Sequence, residues 1–209
     1  MGRRVVITGR DEETWRRLDQ FLYTRARFTV FYEGRIPVPP RLINNAIISV
    51  HYRALRPDDL DGTFLLISTF GKGAHNKKFY RWTRERRVLM YAVDDIQHSD
   101  LILPAIGRKG LITVTVSTSG ASPFFAVKLR DRFINQVDDV EVALVSFLGQ
   151  IRSKVRRALS TYERRRTFYQ FLFESDIRAY LATGDVRGAE LRFCEILNGF
   201  RNREMKDER

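Results

Sequence analysis

The chain has 209 residues, of which 44% are hydrophobic and 30% are charged, a balance typical of a folded protein rather than a disordered one. Its formal net charge of +12 favours a polyanionic partner, either nucleic acid or a small polycarboxylate. No apolar run is long enough for a membrane span, no signal peptide stands at the start, and the single cysteine, Cys194, excludes an intramolecular disulfide. We therefore expect a cytoplasmic protein that has no membrane partner.

Short apolar runs alternate with helical patterns in the first half of the chain. Residues 5–7 indicate a buried strand, and the helix that follows is predicted to begin after Asp11 as its N-cap. Further strands are predicted at residues 28–32, 47–50, 64–69 and 88–93. A helix that carries Phe79 and Trp82 precedes the last of these strands. This order predicts an α/β fold with an open parallel sheet, which binds ligands beyond the carboxyl ends of its strands.

The pattern changes after Pro104. Residues 111–116 alternate as a half-buried strand, a helix through Phe125 and Phe133 follows, and from Val140 the apolar residues recur at helical spacing. We predict three parts, namely a Rossmann-like domain, a small α+β segment and a helical C-terminal domain. Their predicted boundaries are residues 1–104, 105–139 and 140–209.

The turn after the first strand is where a dinucleotide-binding fingerprint, GxGxxG, belongs. Only its first glycine, Gly9, is present, and Asp11, Glu12 and Glu13 occupy the start of the helix. Negative charge at this position opposes a pyrophosphate, which binds at helix N-termini. Taken by themselves, these residues are better interpreted as an ordinary N-capped helix.

Other polar residues have two interpretations each. Asp94 and Asp95 at a strand end form a candidate acid/base pair or solvated turn residues. The hydroxyl-rich segment that begins at Ser117 either holds carboxylates or forms a turn. The basic run at residues 164–166 is a solvated helix face or an anion site. His51, His75 and His98 lack the spacing of metal ligands, are interpreted as surface residues, and leave no predicted metal site.

Several of these segments together resemble one family. Residues 93–123, with Asp94-Asp95, Leu101-Ile102-Leu103-Pro104 and Ser117-Thr118-Ser119-Gly120-Ala121-Ser122-Pro123, closely resemble the core of siroheme synthase, the precorrin-2 dehydrogenase/sirohydrochlorin ferrochelatase family. Asp58-Asp59-Leu60-Asp61, Tyr162-Glu163-Arg164-Arg165-Arg166 and Phe173-Glu174-Ser175-Asp176 are similar to the same family. The resemblance covers nearly all of the chain.

The resemblance implies a Rossmann domain, a central dimerisation segment and a helical domain in an interlocked homodimer. It implies oxidation of precorrin-2 to sirohydrochlorin with NAD, and in several members the insertion of ferrous iron as a further substrate. Asp94 matches the family's essential aspartate. The tetrapyrrole-facing loop matches Ser117, Thr118, Ser119, Gly120, Ala121 and Ser122. The NAD contacts match Gly9, Arg10, Asp11, Glu12, Glu13, Glu33, Gly34, Ser68 and Thr69.

Two other functions are compatible with the sequence. The incomplete glycine turn, and Phe70-Gly71-Lys72-Gly73 in place of the family's acidic stretch, are compatible with a tetrapyrrole chelatase or tetrapyrrole-binding protein that does not use NAD. A nucleic-acid-binding protein would use residues 164–166 with Arg152 and Arg156, but the eight carboxylates of precorrin-2 already explain the positive charge.

A homodimer is also predicted because the apolar stripe at residues 140–159 and the half-buried strand need a covering partner.

Overall fold

Five parallel strands form the centre of the first part of the chain, in the order β3-β2-β1-β4-β5. They are β1 (Arg4–Gly9), β2 (Arg27–Tyr32), β3 (Ile48–His51), β4 (Leu65–Ser68) and β5 (Leu89–Ala92). The strands lie within one or two residues of the predicted runs, and the parallel pairing confirms the predicted α/β, Rossmann-like fold.

The computed structural model describes residues 2–207, and their side chains as far as Arg201. It divides the chain into two compact units, the first ending at Leu103 and the second beginning at Pro104. Our division of the second unit at residue 139 stays a prediction.

Helices pack on both faces of the sheet. On α1 (Glu12–Phe21), Trp15 and Leu18 join one apolar cluster with the β1 residues Val5 and Ile7. On α2 (Ala74–Arg86), Phe79 and Trp82 join a second cluster, which contains Val6 from the other face of β1. Since neighbouring residues of a strand point to opposite faces, these two clusters explain why β1 is an uninterrupted apolar run.

The acidic segment before β4 is a structural turn. Asp59, in the 3₁₀ turn Pro57–Leu60, accepts two hydrogen bonds of 2.7 Å from the Arg53 guanidinium and one of 2.7 Å from the Arg56 backbone N–H. The hydrogen bonds from Arg53 lower the pKa of the Asp59 carboxyl group, against the opposing effect of burial. The carboxylate of Asp59 thus fixes the path of the chain into the sheet.

The second unit begins with an antiparallel pair, β6 (Ala105–Lys109) and β7 (Ile112–Val116), on which α3 (Pro123–Asn135) packs. β7 and α3 lie where the sequence predicts a strand and a helix, whereas β6 was not predicted. Four helices follow, α4 (Asp139–Ala158), α5 (Tyr162–Phe173), α6 (Ile177–Ala182) and α7 (Val186–Asp207). None of the helices described within residues 2–207 is both long and apolar enough for a membrane span.

The apolar stripe of α4 is covered within its own unit. Its buried residues, which include Leu144, Phe147 and Val155, pack against Phe168 of α5 and Phe193 of α7. Our premise that this stripe needs a second copy of the chain is therefore wrong, because the helices that follow α4 bury it.

Candidate functional site

A cleft of about 420 Å³ lies at the carboxyl edge of the sheet. It is placed where the strand order changes direction, between β1 and β4, which is where open α/β sheets bind ligands. Its lining consists of Asp11, Glu13, Arg16, Arg17, Thr69, Phe70, Gly71, Val93 and Asp94. The cleft thus joins predicted residues from β1–α1, from the end of β4 and from the end of β5.

Gly9 is held by two threonines. A Cβ atom at this position would lie 1.9 Å from Thr69 Oγ1 and 2.3 Å from Thr14 Oγ1. The two hydroxyl groups are buried and hydrogen-bonded to each other at 2.9 Å. Thr14 stands where the fingerprint has its third glycine, so a hydrogen bond between helix and strand replaces the close glycine packing of the fingerprint.

Acidic side chains occupy the N-terminal end of α1. Asp11 is the N-cap, as predicted, and its carboxylate accepts a hydrogen bond of 3.2 Å from the Glu13 backbone N–H. Glu13 forms ion pairs with Arg16 at 3.2 Å and with Arg17 at 2.6 Å. Because these carboxylates already interact with the positive end of the helix dipole, a diphosphate is unfavourable at this turn.

The loop between β4 and α2 has free space around its glycines, whereas the β1–α1 turn is tightly packed. Gly71 has φ +70° and Gly73 has φ +156°, and a Cβ atom at either position would have no heavy atom within 4 Å. Helix α2 begins directly after Gly73, with no side-chain cap and no acidic residue in its first turn. Free backbone N–H groups at a helix start are the donors that phosphate groups use. This loop therefore offers the hydrogen-bond donors that suit a phosphate group, which the β1–α1 turn does not.

Asp94 and Asp95 point to different surroundings. Asp94 lines the cleft, is exposed and has φ +59°, a left-handed conformation that aspartate tolerates better than most residues. Asp95 is 2% exposed, and its Oδ2 accepts a 3.1 Å hydrogen bond from Asn76 and lies 2.8 Å from His98 Nδ1. Asn76 in turn accepts a 2.6 Å hydrogen bond from Ser68 Oγ. This network ties the ends of β4 and β5 to α2 and fixes the backbone next to Asp94.

This network was not predicted from the sequence. The sequence predicts His98 at the surface, whereas its ring is half-buried against Asp95. The other two histidines are exposed and stack on aromatic rings, His51 on Phe31 and His75 on Phe70. The signal in the sequence that could have indicated this network is the pair Asp94-Asp95, because one aspartate of a pair at a strand end can point into the protein.

The remaining predicted cofactor residues have varied surroundings. The Arg10 guanidinium lies 5.8 Å from the centre of the Phe70 ring. Glu12 is exposed next to the cap of α1, and Glu33 is exposed at the end of β2. Gly34 is tightly packed, since a Cβ atom there would lie 2.0 Å from the Arg10 carbonyl oxygen. The predicted residues of the first unit therefore gather at one edge of the sheet.

The hydroxyl-rich loop belongs to the second unit. Thr118 Oγ1 accepts a hydrogen bond from the Ser122 N–H at 3.1 Å and donates to the Ser122 carbonyl oxygen at 3.0 Å. Ser122 also caps α3 through a 3.2 Å hydrogen bond from the Phe125 N–H. These bonds shape the loop and leave Ser117, Ser119, Gly120 and Ala121 exposed.

Within residues 2–207, no group of three or more His, Cys, Asp or Glu side chains is placed to hold a metal ion.

Two family models match the chain. The model for a putative NAD(P)-binding region matches residues 1–105, which contain the whole parallel sheet, and the model for the sirohaem synthase dimerisation region matches residues 143–197. The chain belongs to the siroheme synthase N-terminal family. The second match runs from within α4 to within α7, so the family's helical part is also present.

Siroheme synthases are found among the curated relatives of this family member. Siroheme synthase 1 of Aeromonas hydrophila subsp. hydrophila is 26% identical over 195 residues, which cover 93% of this chain and 42% of the relative. Siroheme synthase 1 of Serratia proteamaculans is 27% identical over 205 residues, which cover 95% and 42%. The chain thus spans about two fifths of the length of these relatives.

A solved structure supports the fold. SirC, precorrin-2 dehydrogenase, superimposes with a TM-score of 0.70 at 18% sequence identity, covering 93% of this chain and 95% of that one. The likeness confirms that the chain has the Rossmann-like architecture predicted for it.

Proposed function

We propose that this chain oxidises precorrin-2, or a closely related tetrapyrrole, with NAD(P). The observation that supports this most directly is the cleft at the strand-order switch, which carries Asp94 on its wall and an open glycine loop beside it. The nicotinamide supplies the hydride acceptor when it is bound. The wider positive charge of the chain favours a substrate with many carboxylates. We place this activity in the cytoplasm.

The proposed role of Asp94 is to accept the proton that leaves as the substrate gives up a hydride. A general base has to be accessible and held in place, and Asp94 is exposed beside the hydrogen-bond network of Asp95, Asn76 and His98. If ferrous iron enters the product as a further substrate, we propose that the same carboxylate accepts the pyrrole protons.

The proposed cofactor site combines predicted and newly found residues. It consists of the turn from Gly9 to Glu13, the end of β4 at Ser68 and Thr69, and the loop at Gly71 and Gly73. We propose that the phosphate groups bind at this loop and not at the turn, because the carboxylates of the turn disfavour them. Glu33 is exposed at the end of β2, where a carboxylate accepts hydrogen bonds from an unphosphorylated ribose and repels a 2′-phosphate. We therefore propose NAD rather than NADP.

Calorimetric titration of the purified chain tests the cofactor, and absorbance of the product tests the reaction. We expect NAD⁺ to bind in the micromolar to sub-millimolar range, NADP⁺ to bind at least tenfold more weakly, and precorrin-2 to be oxidised only when NAD⁺ is present. No binding of either dinucleotide at several millimolar contradicts the proposed reaction and leaves tetrapyrrole binding without NAD. Iron uptake into the product in the same assay tests the second step.

We also propose a homodimer, formed through apolar side chains of the β6–β7–α3 part of the second unit. Leu111 is 69% exposed and Phe124 is 73% exposed, and Phe125 and Phe133 are exposed as well. A two-stranded sheet with one covering helix is small for an independent core, so a second copy is a suitable cover for these residues. The match to a dimerisation region elsewhere in the same unit supports the oligomeric state.

Light scattering at low micromolar concentration tests the dimer. We expect a mass of about twice 24.5 kDa for the chain and a mass near 24.5 kDa for Phe124→Asp. The matched control is Ile43→Asp, which places the same charge on an exposed apolar residue of the first unit and should leave the mass unchanged. A wild-type mass near 24.5 kDa contradicts the dimer.

A further inference from the structure

A second cavity, of about 750 Å³, lies between α4 and α5 in the second unit. It shares no residue with the cleft at the sheet edge. Neither matched family description assigns a ligand to this part of the chain. Its volume is in the range of sites that hold a single small molecule.

Four arginines line this cavity, Arg152 and Arg156 from α4 and Arg165 and Arg166 from α5. Arg165 donates hydrogen bonds to the carbonyl oxygens of Leu159 and Ser160, at 2.9 Å and 2.7 Å. Among the side chains described up to residue 201, no carboxylate forms an ion pair with any of the four. Elsewhere in the same unit arginines do pair with carboxylates, for example Arg192 with Asp176 at 2.7 Å.

Glu174 is the only acidic residue in the described lining, so the cavity carries a local excess of positive charge. Arg152 and Arg156 are one helical turn apart, a spacing at which like charges destabilise a helix. An anion with several charged groups removes this repulsion, and the planar guanidinium binds carboxylate or phosphate through two parallel hydrogen bonds.

Aromatic rings form the rest of the wall. Tyr162, Tyr169 and Phe173 lie on the cavity face of α5, whereas Phe168 and Leu172 of the same helix lie in the core. Tyr162 is 67% exposed and Phe173 is 60% exposed. Exposed rings next to guanidinium groups suit a ligand that has a flat apolar body as well as negative groups.

We propose that this pocket binds a flat conjugated macrocycle that carries several carboxylates. The identity of the ring as a tetrapyrrole rests on the proposed function, whereas the anion site rests on the arginines alone. A nucleic-acid strand needs a basic surface that follows its backbone, but these guanidinium groups converge on one cavity. The pocket is thus a second site for the substrate class, in addition to the cleft that contains Asp94.

Titration of the full chain with uroporphyrin III, a fluorescent octacarboxylate, tests the pocket. We expect the Arg152→Gln/Arg166→Gln variant to raise the Kd of this site at least tenfold. The matched control, Arg132→Gln/Arg187→Gln, removes the same charge from two other exposed positions of the unit and should change the Kd less than twofold. Equal weakening in the two double variants means that only net charge attracts the ligand, and this overturns the site.

Further arms identify the ligand. Phe173→Ser should weaken uroporphyrin III but not citrate, a polycarboxylate without a ring, and no difference between the two probes overturns the proposed flat body. A single-stranded oligonucleotide that displaces uroporphyrin III at physiological salt identifies nucleic acid instead. Arginine-dependent binding without any precorrin-2 oxidation means that the proposed reaction fails and the pocket stands. If precorrin-2 is oxidised but both double variants bind uroporphyrin III equally, the proposed reaction stands and the proposed pocket fails.

Discussion

Replacing Asp94 with asparagine is expected to lower the rate of precorrin-2 oxidation by about 10²–10⁴-fold, the usual contribution of a general base. Asparagine has the same shape as aspartate and tolerates the left-handed conformation at φ +59°, so the backbone should not change. What is lost is the ability of the side chain to accept a proton. Turnover, measured from product absorbance at saturating NAD⁺, reports the effect.

The same variant should bind NAD⁺ and unfold as the wild-type protein does. Asp58→Asn is a suitable control, because the Asp58 side chain is 92% exposed and the substitution removes the same charge from the same unit. Unchanged turnover in Asp94→Asn removes Asp94 from the mechanism, and a loss of turnover in both variants shows that charge rather than position is responsible.

The first unit could be predicted from the sequence because each of its signals is local. The run at residues 5–7, the cap at Asp11 and the apolar positions Trp15 and Leu18 each report on a few neighbouring residues. Parallel strands that are covered on both faces also leave a clear pattern, since neither face has to be polar. The positions of Gly9, Ser68 and Asp94 at one edge follow from the parallel order alone.

β6 could not be predicted in the same way. Its sequence, Ala105-Ile106-Gly107-Arg108-Lys109, has a central glycine and two charged residues and thus lacks the pattern of a strand. The glycine is explained by α3, because a Cβ atom at Gly107 would lie 2.7 Å from the Arg130 side chain. This contact joins residues that are 23 positions apart in the sequence. Local strand and helix propensities carry no information about such a contact.

The contacts around Asp95 could not be predicted for a related reason. Hydrogen bonds join it to Asn76 and to His98, and Asn76 is joined to Ser68, so three segments of the chain contribute. None of these residues is unusual in its own segment. The same holds for the α4–α5 pocket, where basic residues that are each typical of a solvated helix face converge on one cavity.

Replacing Gly9 with alanine is expected to destabilise the first unit by about 1–3 kcal/mol, the usual cost of overpacking a filled site. The added methyl group would overlap the Thr14 and Thr69 hydroxyl groups, which are buried and hydrogen-bonded to each other. Urea unfolding followed by tryptophan fluorescence measures this cost, because both tryptophans, Trp15 and Trp82, are buried in the first unit.

Two comparisons make the Gly9 test specific. Gly149→Ala, on the exposed side of α4 where a Cβ atom meets no other atom within 4 Å, should stabilise its helix by about 0.5–1 kcal/mol, because glycine is a poor helix former. This gain is measured by circular dichroism of the helices, since the second unit contains no tryptophan. In a Thr14→Ala/Thr69→Ala background, adding Gly9→Ala should cost less than it does in the wild-type chain, because the overlapping oxygen atoms are gone. An equal cost in both backgrounds contradicts the threonine pair as the reason for glycine at this turn.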